Sequence, residues 1–287
     1  MRVHLATSLF GALLTAFLAV PALAQPTVTS LSPAAVPPGK TVEVTLVGTK
    51  LDDPLSIWTS FPAKVEPVPP AEAKPGQTKR VVKITADATA GVGVGGLVVA
   101  TAEGATDVLF VMVDDLPSTA DNGANQAFAQ AQALTLPTAV DGVSDGPRFD
   151  YYKFDVQAGQ RVAVEAVAGR LAQDFDPVIR LLDATGKELL LADDDAALGS
   201  DCRFAHTFQA AGQYVVEIRD NQYRGGGKYR LRVGDFPLVS TAYPLGVQAG
   251  VAAKVGFAGP TSEAVPQVDV NAPPTAAGGR ISIGGKM

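Results

Sequence analysis

The sequence predicts an all-β protein, antiparallel β-sandwiches arranged in series, and three observations carry that expectation. Apolar residues recur at every second position in short runs, as at Val42, Val44 and Leu46 or at Tyr152, Phe154 and Val156, which is the period of a strand with one buried face. Glycine (29 residues) and proline (21) cut these runs to strand length, because they supply the φ values that tight turns require. No stretch beyond the amino-terminal apolar segment keeps a helical period.

Length and charge bound the organisation. A chain of 287 residues has room for about two domains at the usual ~100–150 residues each. Its net charge of -6 argues against nucleic acid or an anionic membrane surface as a partner. Residues 1–24 read as a signal peptide: Arg2 and His4, an apolar run from Leu5 to Val20, and Ala22-Leu23-Ala24 before Gln25. The apolar run is shorter than the ~20 residues of a spanning helix, and no later segment is long and apolar enough to span a membrane as a helix. The expected product is exported, to the periplasm, the cell surface or the medium. Cys202 is the one cysteine, so no internal disulfide can form. A small buried or half-buried thiol is expected there, the alternative being an intermolecular bridge or a reactive thiol.

After cleavage, residues 26–114 read as a first sandwich. Val42, Val44 and Leu46 alternate with Thr41, Glu43 and Thr45, between the Pro37-Pro38-Gly39 turn and Gly48. Further strands are expected at Arg80–Thr85, Leu97–Thr101 and Val108–Val113, the last two divided by a turn at Glu103-Gly104. Roughly seven strands without helical periodicity is the sandwich pattern. Leu31-Ser32-Pro33, the Pro-Gly turn, Val42-Glu43-Val44 and Gly48 resemble the start of an immunoglobulin-like TIG domain. Gly91, Gly93 and Gly96 satisfy G-x-G-x-x-G, but a strand follows where a dinucleotide site needs a helix. The run is expected to be a glycine-rich hairpin turn.

Asp114-Asp115-Leu116-Pro117-Ser118 is a polar, proline-marked seam. Beyond it, residues 118–234 form the second unit, entered by Asn125–Leu134 as a short helical turn or an extended lead-in. Tyr152, Phe154 and Val156 alternate with Lys153 and Asp155; Val162, Val164 and Ala166 follow with Glu165 outward. Ile179 and Leu181 flank Arg180 ahead of a turn at Asp183–Gly186. Tyr214, Val216 and Ile218 alternate with Glu217 and Arg219, and Tyr229, Leu231 and Val233 with Arg230 and Arg232. One sandwich or jelly roll with an apolar inside and a polar outside is expected.

An ordered series in this unit resembles the bacterial pre-peptidase C-terminal domain family. Asp150-Tyr151-Tyr152-Lys153-Phe154 is similar to its D-x-Y-x-F strand and Ala158-Gly159-Gln160 to its turn. Asp176-Pro177 leads into Ile179–Asp183 and Gly186 as in that family, Asp193-Asp194-Asp195 stands at its acidic loop, and Gly212–Val216 and Tyr229-Arg230-Leu231 resemble its later strands. The resemblance implies a non-catalytic sandwich on a secreted protein, acting in binding or secretion. In the related collagen-binding domains of bacterial collagenases, calcium is held by acidic and amide side chains of the lead-in and first strands. The resemblance implies Asp121 and Asn125 here, with Asp145 and Asp150 nearby, although the glutamates of that lead-in are absent.

On chemistry alone, Ca²⁺ takes six to eight hard oxygen ligands. Asp174, Asp176, Asp193, Asp194, Asp195 and Asp201 offer carboxylates from two loops. If the loops meet, a cation relieves their repulsion; if not, they are solvated turn residues. Catalytic motifs fare worse. Gly142-Val143-Ser144-Asp145-Gly146 matches G-x-S-x-G, but Pro147 and a following strand deny Ser144 the helix of a nucleophile elbow. His206, the single histidine after the leader, lies in a strand-like run, which leaves a triad without context and rules out two-histidine zinc motifs.

Residues 235–287 repeat the beginning. Val28, Pro33, Gly39, Val44, Leu46 and Gly48 recur as Val239, Pro244, Gly250, Val255, Phe257 and Gly259, each 211 positions on. The repeat is expected to be partial and to end in loose linker. The chain therefore reads as an exported, non-enzymatic protein that binds an extracellular polysaccharide or protein, with calcium as a candidate cofactor. A spacer or secretion-assisting module is the alternative, and an accessory part of a secreted hydrolase or peptidase comes third. Exposed aromatics grouped on one sheet face would favour binding over spacing; Trp58, Tyr151 and Tyr223 are the candidates.

Overall fold

The computed structural model describes residues 25–72, 75–263 and 265–272. The expected signal peptide and the expected linker after residue 272 lie outside them. The described chain is all-β, with two single-turn 3₁₀ segments between strands.

Nine strands come first: β1 (Thr27–Ser32), β2 (Ala35–Val36), β3 (Thr41–Thr49), β4 (Ser56–Thr59), β5 (Ala63–Pro67), β6 (Lys79–Ala86), β7 (Gly93–Thr101), β8 (Gly104–Ala105) and β9 (Leu109–Val113). They form two sheets, β1-β3-β6-β5 and β2-β9-β7-β4, with β8 beside β7. The alternation read from the sequence sets the faces: Val44 and Leu46 of β3 and Val82 and Ile84 of β6 meet Leu97, Val99, Val111 and Val113 in one core. The glycine run departs from the hairpin turn expected of it, because Gly93, Gly95 and Gly96 are all within β7. Two of them are small for packing. A Cβ on Gly95 would come within 2.3 Å of the Phe61 ring, and one on Gly96 within 3.0 Å of Val108.

Ten strands form the central sandwich: β10 (Ser118–Ala120), β11 (Gln132–Ala133), β12 (Thr138–Val143), β13 (Asp150–Val156), β14 (Arg161–Val167), β15 (Pro177–Asp183), β16 (Glu188–Ala192), β17 (Cys202–Thr207), β18 (Gly212–Asp220) and β19 (Lys228–Gly234). The lead-in becomes a 3₁₀ turn at Phe128–Gln130 and then β11. The sheets are β10-β12-β19-β14-β17 and β11-β13-β18-β15-β16. Tyr152, Phe154, Val164, Ile179, Leu181, Val216, Leu231 and Val233 fill the space between them. Cys202 joins this core as a free, fully buried thiol, and burial pushes its pKa up.

The outside of the sandwich is less solvated than alternation implies. Arg230 is 0% exposed and Arg232 5%, although both point away from the core. The seam residue Asp114, itself 0% exposed, lies across them. Its carboxylate accepts from Arg230 Nε at 2.7 Å and from Arg232 Nε at 3.3 Å. Arg230 also reaches Asp141 at 2.7 Å. Arg232 reaches Glu165 at 2.7 Å, and Arg170 binds the other Glu165 oxygen at 2.7 Å. Beside this ionic layer, Ala35 and Met112 pack on Val167 and Leu171, so the first pair of sheets is docked on the central sandwich through both apolar and charged contacts.

The last strands, β20 (Thr241–Tyr243), β21 (Ala252–Ala258) and β22 (Val268–Asn271), make one antiparallel sheet. Its pairs Thr241↔Ala258, Ala242↔Phe257 and Tyr243↔Gly256 each stand 211 positions after Ser30↔Val47, Leu31↔Leu46 and Ser32↔Thr45 of β1 and β3.

Candidate functional site

Three groups of side chains on the central sandwich carry chemistry, and the first is a hydroxyl–carboxylate chain behind β13. Tyr152 and Tyr229 point inward from neighbouring sheets and bring their hydroxyls to 2.8 Å. Tyr152 donates outward to Asp121 at 3.2 Å, and Tyr229 donates to Asp150 at 2.6 Å. Gly142, opposite Tyr229 on β12, is small because a Cβ there would meet the Tyr229 ring at 2.3 Å. That packing accounts for the first glycine of the G-x-S-x-G match. Ser144 itself is 2% exposed and donates to the Arg224 carbonyl at 3.4 Å, while His206 sits on β17 against Phe208.

Asn125 lies beside this chain and is 0% exposed. Its backbone carbonyl accepts from the Tyr151 N–H at 2.9 Å, yet both polar atoms of its side chain are buried without a hydrogen-bond partner. An orphaned buried amide is costly. Burial raises the Asp150 carboxyl to about 6; the Tyr229 hydroxyl opposes that shift, and repulsion from Asp121 and Asp145 adds to it. Asp145 is exposed and accepts from Gln126 at 2.8 Å. Asp121 and Asp145 are thus coupled electrostatically to the buried Asp150 carboxylate, but among the described residues these three acids do not bring oxygens within 4.8 Å of one another as Asp176, Asp193 and Asp194 do.

The second group is acidic. Asp176, Asp193 and Asp194 each bring an oxygen to within 4.8 Å of the others. Asp176 Oδ1 is buried with no partner, and its other oxygen accepts from Asn221 at 3.3 Å. Burial raises the Asp176 pKa, with Asn221 opposing and Asp194, Asp193 and Asp220 reinforcing the shift. The remaining acids of the two loops are engaged elsewhere. Asp174 pairs with Arg224 at 2.8 Å and Asp195 with Arg203 at 2.7 Å. Asp201, fully buried, accepts from the backbone N–H groups of Ala168, Gly169 and Arg170. Of six loop carboxylates, three converge.

The third group is a row of rings on the outer face of the sheet containing β13 and β18. Phe128 meets Tyr151 at 6.3 Å, Tyr151 meets Phe149 at 6.2 Å, and Phe149 meets Tyr223 at 6.1 Å between centroids. Arg219 caps the row, 4.7 Å over the Tyr223 ring. Tyr223 is 50% exposed, whereas Phe128 and Tyr151 rest on Ala131, Leu182 and Val215. Next to the row, Glu217 accepts two bonds from Arg180 at 2.6 Å each. Burial, and then the neighbouring Glu217, push the Tyr151 hydroxyl up to about 12. Trp58 is elsewhere, 59% exposed on β4 opposite Val98. The sequence reading missed Phe128, Phe149 and Arg219. Phe149 was open to it as the outward position two before Tyr151, but Phe128 and Tyr223 arrive from loops.

Comparison with known proteins adds the following. Residues 148–220 match the model of the family described as the bacterial pre-peptidase C-terminal domain. The pre-peptidase C-terminal domain of a collagenase from Bacillus anthracis is 15% identical, over 42% of this chain and 99% of that one, with a TM-score of 0.30. The periplasmic g-type lysozyme inhibitor PliG of Aeromonas hydrophila is 13% identical, over 41% and 95%, with a TM-score of 0.28. The SGBP-B protein of a mixed-linkage glucan utilization locus of Bacteroides ovatus is 12% identical, over 72% and 75%, with a TM-score of 0.27. No curated protein matches the chain. The family match takes in Asp150, Phe149, Tyr151, the convergent acids and Arg219, leaves Asp121, Asn125, Phe128 and Tyr223 outside, and identifies a bacterial pre-peptidase C-terminal domain at residues 148–220.

Proposed function

We propose that this is an exported, non-catalytic binding protein whose contact surface for an extracellular polysaccharide or protein is the row Phe128, Tyr151, Phe149 and Tyr223. The observation that carries the reading is the grouping of four rings and one guanidinium on a single sheet face. Part-exposed aromatics give large, rigid contact area at small entropic cost, and a pure spacer has no use for them. The chain divides, on this reading, into a leader (1–24), an immunoglobulin-like module (26–114), the pre-peptidase-type sandwich (118–234) and a partial repeat of the first module (235–287).

Calcium is the cofactor this reading adds. Asp121, Asn125, Asp145 and Asp150 would hold it, the unpaired Asn125 oxygen and the Asp150 carboxylate supplying buried hard donors. Bound there, the ion would neutralise crowded carboxylates and fix the lead-in that carries Phe128. Asp176, Asp193 and Asp194 offer a second, more exposed set.

A screen of glycans and matrix proteins, run with calcium or with EDTA, tests both parts. Wild type is expected to retain a ligand that the Tyr151→Ala/Tyr223→Ala variant binds at least tenfold less tightly, with an unchanged melting temperature for Tyr223→Ala alone. Calcium is expected to raise the melting temperature of wild type and not of Asp150→Asn. The spacer reading has its own support in the ionic layer at Asp114, which joins the first sheets to the sandwich. Failure of wild type to bind anything in the screen would transfer the weight to it.

A further inference from the structure

We propose that the cleft between the first sheets and the central sandwich, lined by Phe110 on one side and by Asp141 and Lys228 on the other, binds one ring of a neutral sugar. The cleft encloses about 160 Å³. Strands β1 and β9 supply one wall and the ends of β12 and β19 the other, with Leu171 and Gln173 of the segment after β14 completing the lining. That volume is below the ~300–1,000 Å³ of pockets that enclose drug-sized molecules, which limits the occupant to a single ring. The place is separate from the row of rings. Asp141 and Lys228 belong to the sheet of β12 and β19, whereas the row lies on the sheet of β13 and β18, so the proposal does not rest on the row.

The occupant follows from what folding leaves unused there. Phe110 is 36% exposed and Val143 49%. Scattered exposed apolar residues are ordinary, but these two come from different units and meet in one concavity. The cross-strand neighbour of Phe110 is Gly96, which has no side chain to cover the ring. Beside this apolar surface stand hydrogen-bonding groups that are held in place and only half used. Asp141 accepts from Arg230 Nη1 through Oδ1 at 2.7 Å, and Arg230 is itself wholly buried and tied to Asp114. The second Asp141 oxygen has no partner among the described residues. The same holds for Oε1 of Gln173, whose amide nitrogen donates to the Leu171 carbonyl at 3.0 Å. Lys228 is exposed, and its ammonium makes no ion pair among the described residues. Two acceptors and one donor beside a ring match a pyranose, which carries hydroxyls around its edge and C–H groups on its faces. The one carboxylate and the one ammonium cancel in charge, and the Arg230 behind them is already matched by Asp114. A neutral ring therefore fits better than an acidic one.

Titration of the full mature chain with glucose, galactose, mannose and xylose, followed by amide NMR, tests this. At least one of these sugars is expected to shift the amide signals of Phe110, Asp141 and Val143 in a saturable way. The Phe110→Ala/Lys228→Ala variant, altered at two exposed positions, should bind that sugar at least tenfold less tightly while its amide spectrum away from the cleft stays that of wild type. Tyr223→Ala, in the row, should leave the titration unchanged, so a row that binds no polymer does not affect the result. Absence of saturable shifts at the cleft with all four sugars would overturn the proposal, and so would shifts confined to residues of the row. Tighter binding of glucuronate than of glucose would overturn the assignment of a neutral ring.

Discussion

Replacing Asp114 with asparagine removes one charge from the layer that joins the first sheets to the central sandwich, and the structure sets the size of the effect. Asp114 and Arg230 are both wholly buried and 2.7 Å apart, and Arg232 approaches the same carboxylate at 3.3 Å. Breaking a buried pair by changing one partner costs about 3–5 kcal/mol, because the other charge is left without compensation. Here each guanidinium keeps a second carboxylate, Asp141 for Arg230 and Glu165 for Arg232, each at 2.7 Å. The loss is therefore expected near the lower end, about 3 kcal/mol, or a fall of roughly 6–12 °C in melting temperature where the two joined sandwiches melt as one cooperative unit. Urea unfolding followed by far-ultraviolet circular dichroism, with calorimetry beside it, reads the change. Asp114→Leu combined with Arg230→Met should recover most of the loss, since well-packed apolar groups can replace a buried pair at little cost. Glu188→Gln, which breaks the exposed Arg180–Glu188 contact at 3.3 Å, should change stability by no more than about 1 kcal/mol. A loss in Asp114→Asn below about 0.5 kcal/mol would refute the reasoning, because the layer would then contribute nothing beyond the apolar contact around Met112.

Two further outcomes follow from the same geometry. Burial opposes ionisation of Glu165, but the guanidiniums of Arg232 and Arg170 prevail and hold its pKa below the ordinary 4.5. A lowered folded pKa means a stabilisation that is complete above about 4.5 and is lost as pH falls through the folded value; Glu165→Gln should therefore be less stable than wild type at pH 7, with the gap closing in acid-titrated melting curves. Gly142→Ala drives a methyl group into the Tyr229 ring, 2.3 Å from the ideal Cβ, and is expected to cost about 1–3 kcal/mol, whereas Gly146→Ala, with nothing within 4 Å of the added carbon, should owe its smaller loss to the positive φ alone.

Much of the fold was legible along the chain because it depends on local periodicity. The alternation of Tyr152, Phe154 and Val156 with Lys153 and Asp155 assigns inside and outside without any knowledge of the partner strand. The offset that relates Val28 to Val239 and Gly48 to Gly259 was open to inspection for the same reason. Periodicity misled where something lies over the outer face: Arg230, Arg232, Glu165 and Glu217 sit at outward positions and are buried all the same. The glycines of β7 misled because the side chains that crowd Gly95 and Gly96 come from elsewhere in the chain, Phe61 from the loop between β4 and β5 and Val108 from just before β9.

The sequence by itself determined the all-β class, the faces of the strands, the single buried thiol at Cys202 and the family resemblance of the central strands, since each rests on residue type and spacing of a few positions. Tertiary structure alone decided which acids meet. Asp176 joins Asp193 and Asp194, while the adjacent Asp195 turns to the Arg203 guanidinium that β17 presents beside the loop. Only the folded chain also brings Phe128, Phe149, Tyr151 and Tyr223 into one row, from three segments whose separation carries no periodic signal. The proposed contact surface rests on that convergence, which is why the kind of fold could be read from the chain and the row could not.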